Sequence, residues 1–162
     1  EANPEDVSGP ALAAWRRLGI DTLSLGVQSL DPNALRFLAR RHSPRQTRDA
    51  VAIARDAGFH TVSIDLIYGL PGQIPTDWRS DLDRAIELGV DHFSCYQLTV
   101  HAGTRFGLLE KRGKLTQLPS DDQAALFRLT HEYLNLFDDA DGQRQALQSR
   151  CDDPPADTRE LH

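Results

Sequence analysis

Apolar and polar positions alternate with a period of two over three short stretches of the chain. The same punctuation precedes each of them. Arg17-Leu18-Gly19-Ile20-Asp21-Thr22-Leu23-Ser24 aligns with Asp56-Ala57-Gly58-Phe59-His60-Thr61-Val62-Ser63, and both align with Glu87-Leu88-Gly89-Val90-Asp91-His92-Phe93-Ser94. Each octet reads as a helix end, a glycine suited to the left-handed cap, an apolar residue tucked back on the helix, and a strand. The strands are predicted near residues 22–28, 61–67 and 92–98, parallel and adjacent in that order. Between them the apolar spacing turns helical. Helices are predicted over Pro10–Leu18, from Pro32 to about Arg41, over Pro44–Ala57, from Pro75 or Thr76 to Leu88, and from Ser120 to about Phe137. Asp31, Ser43 and Ser120 serve as their caps, and prolines suit first turns. Gly103–Gly113 reads as a loop with a short charged helix. Single strands alternating with such helices mean right-handed βα crossovers, so the fold class is α/β with about three parallel βα units.

Aligning the three glycines also aligns the strand faces. Leu23, Leu25, Val27, Val62, Ile64, Leu66, Phe93 and Cys95 share one side and should pack on the helices. The other side reads Ser24, Gly26, Gln28, then Ser63, Asp65, Ile67, then Ser94, Tyr96, Leu98. A doubly wound sheet would need this side apolar as well, and a closed barrel would fill it with aliphatics. It is too polar for either. It suits an open barrel whose interior holds a polar ligand.

The 162 residues match one ordinary domain, divided into a barrel portion at 1–137 and a polar tail at 138–162. The tail has no aromatic residue and few aliphatics, so disorder is expected there. A net charge of −6 gives no electrostatic reason to expect nucleic-acid binding. No apolar run spans a membrane, and no signal-peptide pattern opens the chain. Cys95 reads as a core thiol and Cys151 lies in the polar tail. The two make neither a disulfide framework nor a metal cluster, which points to a cytoplasmic protein. The start at Glu1 and the absence of Met read as a fragment.

Asp65 is the residue that most needs an explanation, because a carboxylate inside a buried strand is costly unless it is paired or binds something. Gln28 falls on the same face, near the carboxyl ends of the strands where ligands of α/β folds bind. Arg40 follows in the next helix. Its guanidinium could pair with a carboxylate, or it could simply complement the helix dipole. Tyr96 either fills the interior or lines a site. His42, His60, His92 and His101 lack metal-ligand spacing and read as surface or satisfied histidines. Tyr68-Gly69-Leu70-Pro71-Gly72 lacks the lysine of phosphate-cradling loops. No nucleophilic triad can be argued, so no residue is assigned a catalytic or metal-binding role.

E-A-N-P at Glu1, L-G-V-Q-S at Leu25–Ser29, L-x-R-x-H at Leu38–His42, D-L-I-Y-G-L-P-G-Q at Asp65–Gln73 and Y-Q-L-T-x-x-x-G-T at Tyr96–Thr104 stand in one order. Together they resemble the radical SAM family that contains oxygen-independent coproporphyrinogen III oxidase and the haem chaperone HemW. The resemblance covers roughly Glu1 to Phe137, and the G-V-Q-S, G-L-P-G-Q and Y-Q-L-T forms look more like the chaperone branch. It implies part of an open parallel (β/α)6 barrel that binds S-adenosylmethionine beside a [4Fe-4S] cluster. It also implies haem or a porphyrin as a partner, and a haem-accepting protein. Glu1, Gln28, Arg40 and Asp65 match family positions that contact S-adenosylmethionine, with a further contact at Leu98–Thr99. The resemblance thus favours the ligand-binding reading of Arg40. The family's C-x-x-x-C-x-x-C cluster motif is absent from these 162 residues, so the cluster ligands are expected outside them. The Gly-rich stretch that meets the methionine part of the cofactor, and the aromatic segments expected after Phe137, are absent too. Two alternatives stand beside a HemW-like protein: a coproporphyrinogen oxidase that decarboxylates a tetrapyrrole, and a non-catalytic barrel remnant that serves as a binding module.

Overall fold

A computed structural model describes residues 1–141 of the chain. Its elements in order are α1 (Gly9–Arg17), β1 (Thr22–Gln28), α2 (Pro32–Phe37), α3 (Pro44–Asp56), β2 (Thr61–Tyr68), α4 (Pro75–Ile86), β3 (His92–Gln97), α5 (Arg105–Lys111) and α6 (Ser120–Asp141). A 3-10 turn at Pro4–Asp6 precedes them. The strands form one parallel sheet in the order β1-β2-β3, as the repeated octet predicts. Helix α6 runs past Phe137 to Asp141, and the rest of the expected tail lies outside the described residues.

The octet works because its glycine occupies the left-handed region each time, with φ of +83° at Gly19, +76° at Gly58 and +63° at Gly89. A residue with a Cβ would be strained there. The next strand begins three residues later each time, so each helix end feeds a strand of the same face parity, with β3 offset by two residues against β2. Leu23 pairs with Val62, and Ile64 with Phe93. Asp91 locks this end: its Oδ2 accepts from the Val62 amide at 2.7 Å and lies 2.7 Å from Arg55 Nη1 of α3.

The outward face of the sheet is the core. Leu25, Val27, Val62, Ile64 and Leu66 are fully buried, together with Leu12 of α1, Ala54 of α3, and Trp78, Leu82 and Ala85 of α4. The Trp78 indole N–H donates to Thr130 Oγ1 at 2.8 Å, which ties α4 to α6. Full burial of one such aliphatic stabilises by roughly 1.5–3 kcal/mol, so this face holds the helices on the sheet.

Ala2 extends the sheet beyond β1. Its amide donates to the Ser24 carbonyl at 3.0 Å, and its carbonyl accepts from the Gly26 amide at 2.9 Å. The opening residues therefore occupy a fourth strand position. Among the described residues no helix is long and apolar enough to cross a membrane.

Helix α2 ends four residues before the expected Arg41. The Ala39 amide bonds the Arg36 carbonyl at 3.1 Å and the Arg40 amide bonds the Leu35 carbonyl at 2.9 Å, which is the Schellman closure. Ala39 sits at φ +55°, where glycine is usual, at a cost of roughly 1–2 kcal/mol. Arg40 therefore stands in the loop beyond the helix, not in its last turn.

Asp81 on α4 is 3% exposed and was not singled out from the sequence. Burial pushes its carboxyl above the ordinary range, opposed by hydrogen bonds from the Ser29 hydroxyl at 2.5 Å and the Leu30 amide at 2.6 Å. It pins the β1–α2 turn to α4. Asp81→Ala strands both donors in a buried place and should lower unfolding stability by about 1–3 kcal/mol. Urea denaturation measures this, and an unchanged midpoint would remove Asp81 from the framework.

Candidate functional site

The inner face of the sheet is half-buried rather than closed. Ser24, Gly26, Asp65, Ile67, Ser94 and Tyr96 all keep partial exposure on it. Asp65 stands at its centre, paired in register with Ser94 of β3. Burial pushes its carboxyl above the ordinary carboxylate range, and hydrogen bonds from the Ser94 and Ser24 hydroxyls oppose that. The Ser24 hydroxyl lies 3.4 Å from both carboxylate oxygens. A carboxylate offers about four acceptor sites, so two hydroxyls leave capacity for a ligand's donors. The serine recurring in the repeated octet is what supplies these neighbours.

Gln28 ends β1 at φ +69° and is buried. The ladder slips by one residue between Leu25 and Gln28, so Gln28 pairs with Leu66 rather than with Ile67. The extra residue bends the strand. The positive φ nonetheless brings the Gln28 amide back over the inner face. Its Nε2 lies 3.0 Å from where a Cβ on Gly26 would stand, and Asn3 Oδ1 lies 3.3 Å from that point. Residue 26 has to lack a side chain for this amide to lie across the strand.

Because Ala2 pairs with Leu25, Glu1 and Asn3 share the inner face with Ser24 and Gly26. Glu1 is exposed, and its charge adds to the upward pressure on Asp65. Arg40 reaches the same place from the α2–α3 loop, with Nη1 3.3 Å from Asn3 Oδ1. His42 anchors the segment from behind. It is 4% exposed, with Nδ1 3.0 Å from Glu5 Oε2 and Nε2 3.0 Å from the Val27 carbonyl. The structure thus brings Glu1, Gln28, Arg40 and Asp65 to the inner face, with Glu1 and Asp65 at mid-strand level and Gln28 at the end of β1.

Residues 1–85 match the Radical SAM superfamily. The chain belongs to that superfamily. It is 42% identical over 125 residues to the haem chaperone HemW of Mycobacterium tuberculosis H37Rv, covering 77% of this chain and 32% of that protein. It is 36% identical over 135 residues to HemW of Escherichia coli K12, covering 83% and 34%. The structure of coproporphyrinogen III oxidase (HemN) from Escherichia coli, a radical SAM enzyme, superposes with a TM-score of 0.70 at 26% identity. That match covers 83% of this chain and 31% of the oxidase chain. The chain therefore spans about a third of the length of the relatives it matches.

The radical SAM barrel explains the polar inner face: the repeated units supply only part of a wall around a ligand space. Cys95 faces the helices and is buried, and burial pushes its thiol up to about 12. Among the described residues no group of His, Cys, Asp and Glu could hold a metal ion. A cavity of about 420 Å³ opens on the helix side, between α2, the turn after β2 and α4. Its lining includes Asp81 and Phe37 but none of the four inner-face residues.

Sequence reasoning did not single out Asn3; it read His42 as a surface or satisfied histidine, and His42 is a satisfied one, with both ring nitrogens partnered. The parity of the E-A-N-P segment was the available signal for Asn3, since residues 1 and 3 of one strand share a face. His42 carried no local signal, because both of its partners are distant in the chain. His42→Ala leaves the Val27 carbonyl without its side-chain partner and frees Glu5. A stability loss of about 1–3 kcal/mol is expected. Amide exchange at Ala2 and Gly26 should also accelerate. Unchanged exchange at those two amides would mean that His42 does not hold the segment.

Proposed function

We propose that this chain is the S-adenosylmethionine-binding part of a haem chaperone of the HemW kind, acting in the cytoplasm. The observation that carries this reading is the convergence of Glu1, Gln28, Arg40 and Asp65 on one half-open polar face. The mixture fits the cofactor's groups. A guanidinium suits its carboxylate, carboxylates suit its ammonium and ribose hydroxyls, and an amide suits what remains. Asp65 keeps acceptor capacity in a partly dry place, where hydrogen bonds to a charged group are strongest. The resemblance adds a further contact in the Leu98–Thr99 stretch just past β3. Bound S-adenosylmethionine supplies the radical chemistry for which the superfamily is named. The chain's own residues bind and orient it.

The [4Fe-4S] cluster of the family does not fit the cysteines of this chain, which number two and do not form the C-x-x-x-C-x-x-C motif. In this reading the whole protein supplies the cluster ligands, and haem and a haem-accepting protein are its partners. The chaperone reading is favoured over a coproporphyrinogen oxidase by identities of 42% and 36% to HemW proteins, against 26% to the oxidase.

Asp65→Asn in the full-length, cluster-loaded protein tests the site. Loss of one charged hydrogen-bond partner should weaken S-adenosylmethionine binding roughly ten- to a hundredfold, with the fold intact. Unchanged affinity by calorimetry would return Asp65 to a structural role. The same preparation should bind haem without decarboxylating coproporphyrinogen III. Turnover of that substrate would establish the oxidase instead.

A further inference from the structure

Among the described residues Arg40 forms no ion pair. Among the described residues no carboxylate lies within 4.0 Å of its guanidinium, although Asp6 and Glu5 stand in the segment packed beside it. Asn3 is interposed. Its Nδ2 donates to Asp6 Oδ2 at 3.0 Å, which turns its Oδ1 toward Arg40 Nη1 at 3.3 Å. The same Oδ1 lies over Gly26, beside the Gln28 amide. A neutral carbonyl takes one of the guanidinium's five N–H groups and leaves the charge and the other four free. An aspartate in that place would take the charge as well.

We propose that Asn3 is the positioning residue for Arg40, and that its neutrality sets the site's preference for ligands carrying a carboxylate. The inference rests on the cofactor reading above and goes beyond it. Asn3 touches no part of the ligand. It aims Arg40 into the inner face and keeps Asp6 from pairing with it. The Schellman closure at Ala39 brings Arg40 within reach, and the Ala2 pairing with β1 fixes where Asn3 stands.

The test compares two nucleosides in the full-length, cluster-loaded protein. S-adenosylhomocysteine carries the amino-acid carboxylate, and 5′-methylthioadenosine lacks it. Asn3→Asp should weaken S-adenosylhomocysteine binding roughly ten- to a hundredfold, because the new carboxylate competes for the guanidinium. Asn3→Ala, which frees Arg40 without neutralising it, should cost less. Both variants should bind methylthioadenosine within about twofold of the unaltered protein, which also serves as the control for folding. Equal losses for the two nucleosides, or no loss for either, would overturn the positioning role while leaving the cofactor site in place. Failure of the unaltered protein to bind either nucleoside would overturn the cofactor reading, and this inference with it.

Discussion

Parallel pairing of β1, β2 and β3 with matched face parity governs the rest of the molecule. A strand turns successive side chains to opposite faces, so matched parity stacks like upon like. The outward rows become a continuous apolar surface that captures α1, α3, α4 and α6. The inward rows collect serines, Asp65 and the strand-end amide of Gln28. A one-residue slip along the whole of β2 would bury Asp65 among the leucines. The penalty for an unpaired carboxylate there is what makes the register unambiguous.

Two buried or half-buried aspartates show how the same residue type divides its work. Asp81 faces the helix layer, where the Ser29 hydroxyl and Leu30 amide engage both of its oxygens. It holds a turn. Asp65 faces inward, where longer serine bonds engage it and its surroundings stay partly open. Burial raises both carboxyls. Only Asp65 keeps accessible acceptor sites, so only Asp65 is equipped to receive a ligand's donors.

The opening residues join scaffold to site. Ala2 continues the sheet, Glu1 and Asn3 present side chains inward, and Glu5 meets His42 behind the sheet. His42 in turn bonds the carbonyl of Val27, next to the slip in β1 that sets the direction of Gln28. The inner-face groups of one strand end, one loop and one edge segment are thereby coupled through a few hydrogen bonds. None of these groups belongs to the helix layer that supplies the stability.

Much of this was legible in the chain itself. The thrice-repeated glycine octet encodes where helices stop and strands start, because left-handed caps and period-two alternation are local properties. The same parity separates the core residues from Ser24, Asp65 and Ser94 and so marks an open polar face. The resemblance motifs added the family and the four candidate residues. What stayed hidden depends on contacts between residues far apart in sequence. Non-glycine residues at positive φ, Gln28 and Ala39, are strained conformations that tertiary packing imposes, and no local preference announces them. They decide that Gln28 turns back over Gly26 after the ladder slips, and that Arg40 leaves its helix to meet Asn3, 37 residues away. The pattern of residue types determined the sheet, its two faces and the superfamily. The meeting of four side chains on one face needed the folded backbone, because only there does a local strain find partners that offset it.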